Sequence, residues 1–252
     1  MKEKAITRFN IIMSGVLLTI IVLIFLGVTL AYFSDTKQTT STYTAGNVKL
    51  TLSEAAVKND GGGNLIEDTS KPRIFGTTEE LVVHNYGHIY PGQTIYKDPT
   101  ITNTGNTDEW IAAKVTLTDG DGDLTNVMGY DGYDSIDIEV LLTGGLLDEK
   151  VRFGTWNGIP NVCYNDHYAM IQIPNATKGE FSFYFLILEP VDVGDSVLVF
   201  EGVNFPDEWN NSEIMELRDL KINVQAFGVQ THKLESCLEA MTAAFPDQFD
   251  LN

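Results

Sequence analysis

The chain has 252 residues, which is enough for one large β domain or two small ones with a sizeable buried core. Hydrophobic residues make up 43% of it and aromatic residues 10%, so it is a globular protein rather than a disordered chain. Its net charge of −19 predicts no nucleic-acid partner, because nucleic acids and anionic lipids repel an acidic surface.

The first residues resemble an export signal. Three cations among the first eight residues precede an uncharged run over residues 9–34. The run is long enough to cross a bilayer, which favours a transmembrane anchor, whereas Thr29 and Ala31 suit a peptidase that cuts before Tyr32. We predict a signal peptide over residues 1–31, and a membrane helix if it is not cut. The positive flank stays inside, so the rest is secreted to the cell surface or extracellular matrix.

Residues 32–46 follow the signal without a linker and are predicted to be extended. They are rich in Thr, Ser and Tyr, contain no Pro, and carry only Asp35 and Lys37 as charges. An extended segment gains a ladder of hydrogen bonds when it docks on an open sheet edge, so this segment is a candidate donor strand for a second copy. A disordered leader, or a first strand that folds onto its own sheet, are the alternatives.

A β domain is predicted over residues 47–232. Val48, Leu50 and Leu52 alternate with polar residues, which indicates a half-buried strand, and residues 55–73 form a Gly- and Asp-rich loop. After a Pro91-Gly92 turn, residues 94–102 and 110–118 are predicted strands. The short NTGN turn between them predicts a hairpin.

The second half of the chain continues this pattern and then changes period. Strands are predicted at 136–142, 179–190, 195–206 and 219–230, with a turn at Val193-Gly194. Residues 233–244 have helical spacing of Leu234, Cys237, Leu238 and Met241, which predicts a short amphipathic helix within a C-terminal tail over 233–252. Eight to ten strands in all predict an all-β fold, a sandwich of jelly-roll or immunoglobulin-like type.

Two histidines form a candidate zinc site. His84 and His88 have the spacing at which two imidazoles on one helix face share a zinc ion. Gly87 and Pro91 disfavour a helix, and Asn85 stands where a zincin carries its glutamate base. In a strand the two histidines would lie about 13 Å apart, too far for one metal. Surface histidines are therefore the favoured interpretation.

Three aspartates form a candidate calcium site. Asp119, Asp121 and Asp123 alternate as in a calcium loop, because hard cations bind several carboxylate oxygens. The EF-hand pattern fails at Leu124 and Tyr130, where it requires Gly and Glu. A solvated acidic turn is the favoured alternative.

Other catalytic or covalent chemistry has little support in the sequence. The chain has no G-x-S-x-G motif, and the proximity of Cys163 to His167 in sequence guarantees no contact. Cys163 and Cys237 could form one disulfide or remain two buried thiols. We predict no catalytic residue, and no cofactor apart from the candidate calcium and zinc ions.

The chain resembles the TasA and camelysin family of secreted Gram-positive bacterial proteins, which are exported with SipW-type signal peptides. The matching segments, in order, are TLAYFSDT, YTAGNVKLTL, YPGQTIYKDPTITNTGN, EWIAAKVTL, EPVDVGDSVLVFEGVNFP and LKINVQAFGVQ. The resemblance implies cleavage between Ala31 and Tyr32 by a SipW-type signal peptidase, and a jelly-roll body. In TasA-like members it also implies biofilm-matrix fibres, in which the freed N-terminal segment completes the sheet of the next subunit.

These features favour a secreted surface or biofilm-matrix structural protein whose main partner is itself. Contact with a membrane is expected only before cleavage. The alternatives are a camelysin-type zinc metalloendopeptidase, for which the resemblance assigns no residue here, and a membrane-anchored adhesion module.

Overall fold

A computed structural model describes residues 34–37, 48–76, 90–119, 142–148, 151–173, 180–205, 207 and 220–249. The predicted signal helix and the Ala31-Tyr32 cleavage site lie outside these residues. The described chain is all-β with one short C-terminal helix, as predicted, and its strands form three sheets.

The largest sheet has seven antiparallel strands. In spatial order they are β1 (Ser34–Lys37), β16 (Leu220–Gln230), β8 (Glu109–Asp119), β13 (Glu180–Ile187), β12 (Tyr168–Ile173), β11 (Ile159–Tyr164) and β10 (Arg152–Trp156). The long strands β8 and β16 pair over their full length, from Glu109 opposite Gln230 to Asp119 opposite Leu220.

The two smaller sheets have four and five strands. The four-stranded sheet has the order β14 (Ser196–Leu198), β7 (Thr100–Asn103), β2 (Leu50–Glu54) and β5 (Ile74–Phe75). The five-stranded sheet has the order β3 (Val57–Asn59), β4 (Leu65–Glu67), β6 (Thr94–Tyr96), β15 (Gly202–Asn204) and β9 (Leu142–Thr143). A short 3₁₀ helix, Gly145–Asp148, follows β9.

Two apolar clusters lie on opposite faces of the seven-stranded sheet. The inner core packs β8 residues Ile111, Ala113, Val115 and Leu117 together with apolar residues of the two smaller sheets, such as Ile101 of β7 and Ile95 of β6. The helix-side core packs the other face against helix α1, Cys237–Ala244. Its members include Trp110, Ala112, Tyr184, Phe227, Met241, Phe245 and Phe249. The first part of β8 is therefore buried on both faces, whereas the sequence predicted one apolar face.

The predicted hairpin of residues 94–118 is wrong. Residues 94–102 divide into β6 and β7 in different sheets, and β7 and β8 also belong to different sheets. The NTGN segment leads across the sandwich because the buried Asn103 side chain donates hydrogen bonds to the carbonyls of Thr107, at 2.9 Å, and Val191, at 2.8 Å. Short connections usually join neighbouring strands, and a buried polar side chain overrides that tendency here.

The predicted loop at 55–73 is also wrong, since it contains the β3–β4 hairpin. Asp60 organises its glycine-rich turn: Oδ1 accepts hydrogen bonds from the Gly62 and Asn64 amides at 2.6 and 3.1 Å. Such short strands raise the strand number of the described residues to sixteen, above the eight to ten expected.

Other local predictions are confirmed or shifted. Gly92 and Gly194 have positive φ values of 74° and 91°, as turn glycines require. The helix starts at Cys237 rather than at residue 233, because Lys233 has a φ of 62° and Ser236 is the N-cap. Of the strand predicted at 136–142, only Leu142 is described, and it begins β9.

Candidate strand-addition site

The outer edge of β16 is the candidate functional site. β1 pairs with it antiparallel, with Ser34 opposite Val229 and Lys37 opposite Ala226. Over the same residues β16 pairs with β8 on its other side, so β1 completes the sheet there. No described strand pairs with the outer side of β16 between Leu220 and Gln225. Among the described strands, β1 ends the sheet on this side, and strand addition takes place at such ends of a sheet.

The position of β1 follows from the sequence of β16. From Leu220 to Gln225 the strand alternates buried residues with exposed or half-buried polar ones. From Ala226 to Val229 every residue is buried, because α1 covers the outer face of the sheet at this end. β1 therefore pairs where β16 is enclosed on both faces, a place where unpaired backbone groups cost the most.

Gly228 allows the four-stranded sheet to approach the seven-stranded sheet closely on the inner side of β16. In the register it lies opposite Asp35 of β1. A Cβ at this position would lie 2.9 Å from Leu50 Cδ1 and 2.9 Å from Glu109 Oε2, distances that real Cβ atoms essentially never show. Glycine in a strand interior often marks such a close approach. Gly228 therefore helps to position β2 against β16.

Glu109 connects the start of β2 to the seven-stranded sheet. Its side chain is fully buried, and Oε1 accepts a hydrogen bond from the Lys49 amide at 3.0 Å. Its own amide and carbonyl pair with Val191, at 3.1 and 2.8 Å. Residues 48 and 49, which follow the candidate donor segment, are thus held beside the end of β16.

The Lys-Asp-Pro segment forms a buried ionic junction between the smaller sheets. Lys97 Nζ donates to Glu54 Oε1 at 2.5 Å, and both side chains are buried. Asp98 accepts hydrogen bonds from the Ala55 amide and from Arg73 Nη1, both at 2.6 Å. Because these groups bind one another, the loss of one partner would leave a buried charge with less compensation.

Tyr96 lies at the edge of this junction. Burial, and secondly the nearby Asp98 carboxylate, raise the pKa of the Tyr96 hydroxyl to about 12. The hydroxyl donates a long hydrogen bond of 3.4 Å to Asp98 Oδ2. Tyr96 therefore stays protonated at neutral pH.

The candidate metal residues are mostly outside the described chain. His84, His88, Asp121 and Asp123 lie there, and of Asp119 only the backbone is described, as the last residue of β8. Within the described ranges no group of three or more His, Cys, Asp or Glu side chains could hold a metal ion. The zinc and calcium sites remain predictions.

The two cysteines are free and buried, so the disulfide alternative is wrong. Cys163 belongs to the inner core and Cys237 to the helix-side core, so the sheet separates them. Cys237 Sγ donates to the Ile111 carbonyl at 3.2 Å, and burial raises the pKa of its thiol far above the usual range. A thiol kept protonated in this way is a poor nucleophile.

Sequence reasoning missed Gly228 and Glu109. The signal for Gly228 was its place inside an apolar strand, where glycine weakens pairing unless another group approaches closely. The signal for Glu109 was a carboxylate directly before the apolar run that starts at Trp110. Neither signal identifies the residue that is contacted, because Leu50 is distant in sequence from Gly228 and Lys49 is distant from Glu109.

Comparisons with protein-family models, curated proteins and solved structures find no match to this chain. Within the described ranges, no helix has both the length and the apolar character needed to span a bilayer.

Proposed function

We propose that this protein is a secreted structural protein of the cell surface or biofilm matrix, which assembles by strand addition. Residues 32–46 of one copy are the donor, and the outer edge of β16 in another copy is the acceptor. The observation that carries the proposal is the antiparallel pairing of β1, through its backbone, with the outer side of β16 at one end of the seven-stranded sheet.

Exchange of β1 between two copies requires no new kind of contact at this site. β1 binds β16 through backbone pairing, and an identical strand from a second copy can make the same bonds in the same register. Residues 38–49 connect β1 to β2, which belongs to a different sheet. If this connection extends away from its own body, β1 reaches a neighbour and leaves its own β16 edge for another donor.

The resemblance to TasA-like proteins supports the same reading. Under the proposal the three sheets form a jelly-roll body, and a SipW-type signal peptidase cuts between Ala31 and Tyr32. That cut releases the membrane tether and frees the donor segment in one event. The proposed assembly needs no cofactor and no partner other than a second copy.

Cysteine crosslinking of mixed variants tests strand exchange. Two mature proteins starting at Tyr32 are prepared, one with Ser34→Cys and one with Val229→Cys, since these residues are opposite in the register. We expect oxidation of the mixture to give disulfide-linked dimers containing one copy of each variant. Mass-tagged chains identify such dimers, and the buried Cys163 and Cys237 of the parent protein provide the background.

Two controls make the crosslinking result decisive. Pairing Ser34→Cys with Lys221→Cys removes the register match, because Lys221 lies toward the far end of β16, and should give few dimers. A single chain carrying both Ser34→Cys and Val229→Cys reports pairing within one copy. If only this double variant forms a disulfide, and the oxidised protein is a monomer, β1 pairs with β16 of its own chain and the proposal is wrong.

Truncation gives an independent measurement. A protein lacking residues 32–44 should form no fibres in electron micrographs and should elute as a monomer. Oligomers of unchanged size in this truncation would contradict donation by the N-terminal segment.

A further inference from the structure

A groove opens between the seven-stranded sheet and the four-stranded sheet, beside the ends of β13 and β14. Its volume is about 490 Å³, within the range of ligand-binding pockets. Ile187, Val191 and Val197 give it an apolar floor, and Leu146 of the 3₁₀ helix forms one wall. The described lining residues include none from β1 or β16, so the groove is separate from the strand-addition site.

The rim of the groove is acidic. Glu189, Asp192 and Asp195 line it and are exposed, and His167 lies at the same rim. The described lining residues include no Lys or Arg. An apolar floor below three carboxylates is complementary to a ligand that carries both positive charge and apolar side chains.

The acidic turn is held rigidly by both sheets. The Val191 carbonyl accepts from the Glu109 amide and from the Asn103 side chain, at 3.1 and 2.8 Å. The Asn103 carbonyl accepts from the Gly194 amide at 2.8 Å, and the Asn103 amide donates to the Asp195 carbonyl at 3.0 Å. Because the carboxylates are attached to a fixed backbone, a ligand loses less free energy in ordering them.

Two of the three acidic residues of the rim, Asp192 and Asp195, belong to one turn, which is closed by a 3.0 Å hydrogen bond from the Asp195 amide to the Asp192 carbonyl. In a protein of net charge −19, a positively charged ligand is favoured over an anionic one at this turn.

We propose that the groove binds a basic peptide segment of another protein, one in which Lys or Arg alternates with apolar residues. The ammonium or guanidinium groups would contact the carboxylates of the rim, and the apolar side chains would cover Leu146 and Val197. A second copy is a poor occupant of this groove, because the chain has 35 acidic residues against 16 basic ones and so offers few basic segments to the rim.

A peptide-binding titration tests this proposal with the full mature protein. The probe is a fluorescent synthetic peptide of alternating Lys and Leu, and fluorescence anisotropy gives its Kd. The test variant combines Glu189→Gln, Asp192→Asn and Asp195→Asn. The matched control combines Glu67→Gln, Glu235→Gln and Asp247→Asn, three exposed carboxylates outside the groove, so both variants lose the same charge.

We expect the groove variant to bind the peptide roughly tenfold more weakly or worse, and the control variant to bind within about twofold of the parent. A peptide with Ser in place of Leu should also bind more weakly, because it cannot cover the apolar floor. All six substitutions are at exposed side chains, and circular dichroism checks that both variants stay folded.

Three outcomes would overturn the proposal. They are no binding by the parent protein, equal loss of affinity in the two variants, and equal binding of spermidine and the peptide. The second and third would mean that the protein attracts cations through its net charge alone. None of these outcomes depends on whether strand exchange occurs.

Discussion

The two faces of the seven-stranded sheet are covered in different ways. On the inner face β8 is apolar from Ile111 to Leu117, and Ile111, Ala113, Val115 and Leu117 all belong to the inner core. On the other face only Trp110 and Ala112 are buried, and the strand continues with half-buried polar residues. The helix thus covers only the part of this face that is apolar.

The chemistry of the two cores also differs. The helix-side core is an aromatic cluster, in which Tyr184 stacks on Phe249 at a centroid distance of 4.1 Å, and Phe227 meets Phe245 edge-on at 5.1 Å. The inner side is larger and is bordered by the buried Lys97–Glu54 pair. A small face can be closed by a few large rings, because aromatic side chains bury much area per residue.

The largest expected loss of stability comes from a substitution in the buried ion pair on the inner side of the sheet. Lys97→Met removes the buried ammonium group that donates to the Glu54 carboxylate, and we expect it to lower the free energy of unfolding by about 3–5 kcal/mol. Urea denaturation measures this loss. The control is Lys58→Met, at an ion pair whose lysine is half-exposed, which should cost less than about 1 kcal/mol. Equal effects would show that burial does not distinguish the two pairs.

Phe249→Ala tests the helix-side core. Phe249 is buried among Tyr184, Phe227 and Phe245, so we expect the substitution to lower the free energy of unfolding by about 3 kcal/mol. The matched control is Phe153→Ala on β10, where the ring is 49% exposed, and it should have a small effect in urea denaturation. If the two variants are equally stable, the aromatic cluster does not hold the helix in place.

Ser236→Ala tests the start of α1. Ser236 Oγ accepts a hydrogen bond from the Glu239 amide at 3.2 Å, and we expect its loss to cost about 1 kcal/mol. Ser236→Asp should preserve stability, since Asp is an equally good N-cap. Thermal unfolding of both variants distinguishes a capping role from a packing role, and equal destabilisation would contradict capping.

Tyr184→Phe should have almost no effect at neutral pH and a clear one in alkali. Burial raises the pKa of Tyr184 to about 12 in the folded protein, whereas an unfolded tyrosine titrates near 10. Between these values the unfolded state loses its proton first, so the free energy of unfolding falls as pH rises from about 10 to 12.

We therefore expect the fall in stability over this pH range to be smaller in Tyr184→Phe. Tyr96→Phe should reduce it too, because the pKa of Tyr96 is also raised to about 12. Tyr90→Phe, at an exposed side chain, is the control. Urea denaturation at several alkaline pH values measures the slopes, and identical slopes in all variants would contradict a buried, protonated Tyr184.

Predictions from local sequence pattern succeeded where the spacing of apolar residues shows which side of a strand or helix is buried. The alternation at Val48–Leu52 and 110–118 predicted β2 and β8, and the spacing of Cys237 and Met241 predicted the buried side of α1. Neighbour pairing was less predictable. The NTGN turn looked like a hairpin connection, but Asn103 bonds to Val191, a residue far along the chain.

The candidate sites, too, could be predicted from the sequence only in part. The sequence singled out the donor segment by composition, yet its acceptor edge, the Asp35–Gly228 register and the buried Glu109 depend on residues about 60 to 190 positions apart. The rigid acidic groove is similar, because its lining residues come from four separate segments of the chain.

The sequence by itself determined the fold class, the strand and helix periods, and the strongly acidic character of the protein, because these depend on neighbouring residues and on composition. Only the tertiary structure decided which strands share a sheet, which face the helix covers, and where Lys97, Glu109 and Asn103 find partners. Such choices depend on burying polar groups with partners distant in sequence, and no local pattern contains that information.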